Sequence, residues 1–237
     1  MVICVYSFYP TKFCIDGKAP VISCDVLPPF DVSKGELEIG LKDLSTYYSF
    51  PNIDSSNNKF YYGDKVITIP EGAYEIENLE DTIKSMLGKD VEFSLKPNNN
   101  TLKSEIFCSK KIDFTKDQTI GPLLGFESKI LDENVKYVSD TPVNILKVNV
   151  IRVECNIARG SYRNGEEGHV IYDFFPDVGP GYKIIERPRN IVYLPLTVNS
   201  ISHIVISLRD QDDQLINFRG ETLSVTLHVR QRHGYSI

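Results

Sequence analysis

The chain has 237 residues, a formal net charge of −6, 41% hydrophobic and 24% charged residues. That composition supports a sizeable core and excludes wholesale disorder. The acidic balance argues against a protein that wraps nucleic acid by neutralising phosphates. The local basic clusters, Lys110-Lys111 and Arg230-Gln231-Arg232, read as solvated surface.

From the N-terminus, "MVICVYSFYP" is apolar but lacks the basic n-region and long apolar core of a secretory signal. No stretch of the chain is long and apolar enough to cross a membrane as a helix, so no membrane partner is expected. Residues 1–34 read as an extended arm, with Pro28-Pro29 as its boundary, and residues 35–237 as one domain. Short β-like runs follow, among them "ELEIGLKDLSTYYSF", "KFYYGDKVITI", "VEFSLK" and "TLKSEIFC", punctuated by glycine and proline. One helix interrupts them near 78–87, where Ile76, Leu79, Ile83 and Leu87 recur at near-helical spacing. Asn78 is its expected N-cap and Gly88 its C′ residue.

The second half begins with "IRVECNI", in which Ile151, Val153, Cys155 and Ile157 share one face. The loop Phe174–Pro188, "FFPDVGPGYKIIERP", is stiffened by proline and glycine and framed by aromatic residues. It reads either as a long connection or as a contact loop. The last two runs flank Arg209-Asp210-Gln211-Asp212-Asp213-Gln214. An EF-hand register started at Asp210 puts Leu215 where the sharp loop needs glycine, so a solvated hairpin is expected there instead of a metal site. The inward parity slips from Ile216 and Phe218 to Leu223 and Val225, which assigns a β-bulge to Gly220. The fold class expected is all-β: a single jelly-roll β-sandwich of two antiparallel sheets with one short helix.

Nothing in the pattern selects a catalytic, cofactor-binding or metal-binding residue. His169, His203, His228 and His233 stand without the His-x-His or His-x-Asp neighbour of a β-sandwich metal site. Cys4, Cys14, Cys24, Cys108 and Cys155 form no CxxC pair and are expected as reduced thiols. No nucleophile elbow or phosphate-cradling loop occurs.

The blocks "IPEGAYEI" followed by a short helix, "LLGF", and "LRDQDDQLINFRGETLSVTLHVR" resemble the penton (minor capsid) proteins of Polinton/Maverick elements and related adintoviruses. The matching blocks run from about Val66 to Arg230. The resemblance implies a virion capsid protein, made and assembled inside the host cell, that forms homopentamers at five-fold vertices beside a hexon-type major capsid protein. It implies no enzyme activity and no cofactor. Subunit-interface candidates are Tyr48, Tyr61, Tyr182, Arg219 and Glu221. A jelly-roll glycan- or receptor-binding module is the alternative, and a cryptic enzyme on the same fold a third reading.

Overall fold

The computed structural model describes residues 11–33, 35–145 and 147–232. In chain order, β1 (Thr11–Lys18), β2 (Val21–Asp31) and β3 (Leu37–Tyr47) come first. Next are β4 (Lys59–Tyr62), β5 (Lys65–Thr68), α1 (Ile76–Met86), β6 (Phe93–Asn98) and β7 (Lys103–Cys108). The short strands β8 (Ile112–Asp113), β9 (Ile130–Leu131) and β10 (Val135–Val138) follow. The chain continues with β11 (Ile151–Cys155), β12 (Ser161–Arg163), β13 (Glu166–Gly168) and β14 (Val170–Phe174). It ends with β15 (Lys183–Glu186), β16 (Leu194–Pro195), β17 (Ser200–Arg209) and β18 (Thr222–Gln231). These elements form two compact units, residues 1–49 with 148–237, and residues 50–147.

The first unit is a jelly roll. Its sheets run β1-β18-β3-β15, with β16 also on β3, and β14-β11-β17-β2. Counting the eight long strands in chain order, the first pairs with the last, the second with the seventh, the third with the sixth and the fourth with the fifth, all antiparallel. A ribbon nested in this way and rolled across two sheets is the double Greek key of a jelly roll. Inward residues of both sheets, such as Ile39, Leu44, Val153, Ile206, Leu208, Val225 and Leu227, are buried between them.

Three expectations are corrected here. Residues 11–31 are not an arm: they are the opening strands of the two sheets, and Pro28-Pro29 lies inside β2. Residues 1–10 of the expected arm lie outside the described residues. The single domain expected over 35–237 is instead a jelly roll that needs residues 11–31, with a second unit inserted between β3 and β11. Finally, the acidic segment does turn the chain back on β17, with Ile216 N–H bonded to the Leu208 carbonyl at 3.2 Å, but β17 and β18 are not paired in one hairpin, because they belong to different sheets. Gly220 (φ +78°) and Arg219 (φ +54°) form the turn before β18 and not a bulge within it. A bulge does occur further on, where Thr226 and Leu227 face Asp43 and Leu41 and leave Lys42 as the extra residue of β3.

The inserted unit has its own core, which includes Phe60, Ile69, Leu79, Ile83, Leu95, Ile106, Phe114 and Leu124. Two small sheets, β5-β4-β8-β9 and β10-β7-β6, build it. Helix α1 turns Ile76, Leu79 and Ile83 into this core, as the spacing predicts. Its N-cap is Glu75, three residues before the expected Asn78, and makes no side-chain cap hydrogen bond. Glu80 fastens the helix instead, accepting from the Leu95 N–H at 3.2 Å and pairing with Lys84 at 2.7 Å.

Asn52 ties together both ends of the insert. Its side-chain amide donates to the carbonyls of Tyr74 (2.7 Å) and Ile145 (2.9 Å), and its oxygen accepts from the Tyr74 N–H. Beside it, Asp54 pairs with Lys147. Burial pushes the Asp54 carboxyl up, but hydrogen bonds from Lys147 and Ser56 outweigh burial and hold its pKa at about 2, against 3.8 ordinarily. A folded pKa below the unfolded one stabilises the fold above the unfolded value, and that contribution drains away as pH falls through the folded value. The insert is therefore expected to lose stability between about pH 4 and pH 2. Asp54→Asn should flatten that part of the profile, as measured by urea midpoints at stepped pH.

Candidate assembly surfaces

The acidic segment after β17 is tied down by arginines. Asp210 Oδ1 accepts the N–H groups of Asp212 and Gln214, both at 2.9 Å, so this carboxylate shapes its own turn. Asp213, at φ +61°, accepts from Arg152 at 3.1 Å and also pairs with Arg163. Arg209 donates to the Asp213 carbonyl at 2.6 Å and to Glu154 at 2.8 Å. Arg163 reaches the Gln211 carbonyl at 3.0 Å, which brings the β12–β13 hairpin against the turn. The three carboxylates thus serve separate partners: Asp210 the backbone, Asp213 the arginines, and Asp212 a contact with Gln211 at 3.3 Å. No group of metal-ligating side chains is assembled among the described residues. Asp213→Asn should release the hairpin at a cost of about 1 kcal/mol or less, because these pairs are partly solvated. Faster amide exchange over 161–168 is the readout.

The interface candidates fall in different environments. Tyr48 is only 6% exposed, which places it in the core. Its backbone N–H bonds the Tyr182 carbonyl at 2.9 Å, and burial pushes its phenol pKa up. The bulge at Lys42 is the reason. Leu37, Ile39 and Leu41 point inward before it, and Leu44, Thr46 and Tyr48 after it. Tyr47 therefore takes the outward place expected of its neighbour. Tyr61 is half-buried and donates to the Asp117 carbonyl at 3.1 Å. Tyr182 is 69% exposed. Arg219 and Glu221 are exposed, and no ion pair joins them; their backbones make the turn, with the Glu221 N–H bonded to the Phe218 carbonyl at 3.0 Å.

The loop between β14 and β15 exposes Phe175 (74%) as well as Tyr182. Ile185 is exposed on the same outward face of its sheet as Tyr47, since their strand partners Ser45 and Lys183 alternate with the buried Thr46 and Ile184. The basic C-terminal cluster is neutralised locally. Arg230 bonds Glu38 at 2.6 Å and covers the Tyr193 ring at 3.6 Å, and Arg232 meets Glu36 at 3.3 Å.

The histidines make single local contacts: His169 with the Ala158 carbonyl at 2.6 Å, His203 with Asp25 at 2.8 Å, and His228 with Tyr193 at 2.7 Å. His233 lies outside the described residues, as does Cys4. Burial pushes the Cys155 thiol up to about 11, the opposite of what a nucleophile requires.

A cleft of about 420 Å³ opens beside β14, between the β12–β13 hairpin and Val192. Its lining includes Arg152, Tyr162, Arg163, Tyr172 and Asp173. Sequence reasoning missed this feature, because the hairpin that walls it is three residues per strand and mostly exposed.

Eight nested strands in two facing sheets define the class: this is an all-β jelly roll, here carrying a second β unit within one connection. No family model and no curated protein matches the sequence. Among solved structures the chain is similar to the mavirus penton protein, with a TM-score of 0.52 and 11% identity, over 95% of this chain and 100% of that one. The fold agrees with the resemblance to Polinton/Maverick pentons drawn from the sequence blocks.

Proposed function

We propose that this chain is a penton, the minor capsid protein of a Polinton-like virus or element. It forms homopentamers at five-fold vertices beside a hexon-type major capsid protein, and resides in the virion capsid after assembly inside the host cell. The observation that carries this reading is the fold shared with the mavirus penton protein over nearly the whole chain, a span that takes in the insert as well as the jelly roll. The chemistry fits a scaffold. Its ionised groups are spent on local structure, as the acidic turn and the Arg230–Glu38 pair illustrate. A head-to-tail contact repeated around an axis closes into a ring when the rotation permits.

Light scattering coupled to size exclusion, followed by negative-stain microscopy, tests the proposal. Five-fold rings with a mass near five times the 26.9 kDa chain are expected. Monomers or trimers that bind a glycan saturably would overturn it in favour of a binding module.

A further inference from the structure

The cleft beside β14 lies wholly within the jelly-roll unit. Its volume of about 420 Å³ falls in the range of small-molecule sites, roughly 300–1,000 Å³. Arg152 and Asp173 line it and are cross-strand partners. They alternate with the buried Ile151, Val153 and Phe174, so they project from the outer face of their sheet.

One wall is the β12–β13 hairpin, anchored at both ends of its first strand. Ser161 Oγ accepts the Val170 N–H at 3.0 Å. Arg163 bonds the Gln211 carbonyl at 3.0 Å and pairs with Asp213. Tyr162 sits between these two anchors, is 70% exposed and lines the cleft. An aromatic residue whose neighbours are both held loses little freedom when a ligand covers it.

The polar groups of the cleft divide into those already used and those not. Arg152 and Arg163 share Asp213, and the Tyr172 hydroxyl donates to Glu186 at 2.9 Å. The Asp173 carboxylate and the Tyr162 hydroxyl have no hydrogen-bond partner among the described residues. Arg152 spends only Nη1, on Asp213 and the Asp210 carbonyl. The charges of the two arginines are cancelled by Asp173 and Asp213. An uncommitted carboxylate repels an anion, but beside guanidinium N–H donors it matches adjacent hydroxyl groups, which both donate and accept. A tyrosine ring with a free hydroxyl offers an apolar face and a polar tip to the same ligand. A pyranose ring, apolar on one face and hydroxylated at its edge, meets both demands.

We propose that this cleft binds an uncharged sugar unit, stacked on Tyr162 and hydrogen-bonded through its hydroxyls to Asp173. The site is built by one subunit alone, so it goes beyond the penton reading and does not depend on the ring.

Saturation-transfer NMR and calorimetric titration of the full chain test it. The probes are the methyl glycosides of glucose, galactose, mannose and N-acetylglucosamine, with sialyllactose as the charged comparison. Saturable binding of at least one neutral glycoside is expected, in the millimolar range of so small a ligand. Tyr162→Ala and Asp173→Ala should each weaken it about tenfold; both residues are exposed, so circular dichroism should be unchanged. Tyr47→Ala, an exposed tyrosine of the other sheet, should leave the affinity as it is. No saturable binding by any probe, a preference for sialyllactose, or an affinity untouched by both substitutions would each overturn the site. Rings that bind sugar would support both readings, whereas sugar binding by chains that never form rings would overturn the penton and keep the site.

Discussion

Gly125→Ala is expected to destabilise the inserted unit by about 3 kcal/mol, the largest single-atom-scale effect in that unit. Gly125 sits at φ +82°, where a side chain is strained regardless of space. Space is also missing, because a Cβ there would lie 2.3 Å from the Thr141 carbonyl oxygen. The backbone has no freedom to move away. The Gly125 carbonyl accepts the N–H groups of Asp140 and Thr141, both at 3.0 Å, while its own N–H bonds Pro122. Leu124 on one side and Phe126 on the other are buried in the core. Amide exchange should show lost protection over 50–145, with the jelly-roll strands unaffected. Gly63→Ala is the control: φ is again positive, but nothing lies within 4 Å of the added atom, so about 1 kcal/mol is expected.

Phe218→Ala should cost the jelly roll about 3–5 kcal/mol, the range for truncating a buried aromatic residue. Its side chain is fully buried on the segment that carries the chain from one sheet to the other. The Phe218 carbonyl also accepts from Ser49 Oγ at 2.7 Å, which fixes the crossover at the end of β3. The turn at Arg219 and Gly220 then delivers Leu223 into the core. Urea denaturation followed by exchange in β17 and β18 is the measurement. Asp212→Asn, a few residues earlier on the exposed turn, should change stability by less than about 0.5 kcal/mol.

The sequence pattern carried the central strands well, for physical reasons. β11, β17 and β18 sit inside their sheets, so most apolar residues are buried and long stretches alternate, as in Ile151–Cys155 and Ile204–Leu208. β1 and β2 are edge strands, and among them only Ile15 and Ile22 are fully buried. With so little burial to record, their residues alternate weakly and read as an arm. Tyr48 was misplaced for a related reason. The interval from Leu41 to Leu44 breaks the two-residue period of β3, a visible sign of the bulge that turns Tyr48 inward. The same kind of slip between Phe218 and Leu223 was legible, but pattern alone does not distinguish a bulge from a change of sheet. The cleft beside β14 was illegible, because it depends on how a mostly exposed hairpin and Val192 approach one edge strand. No periodicity encodes that approach.

The nested pairing of the jelly roll sets an order of events during synthesis. Thr11 pairs with Val229, so β1 has no strand partner until more than two hundred further residues have been made. Pairings this distant in sequence are slow to form, since the loop must close before contacts reward it. The insert, by contrast, draws its core from residues 50–147 alone and can complete its fold while the ribosome is still making β11 and beyond. The jelly roll matures last. Truncated chains released early would hold a finished insert and no closed sandwich.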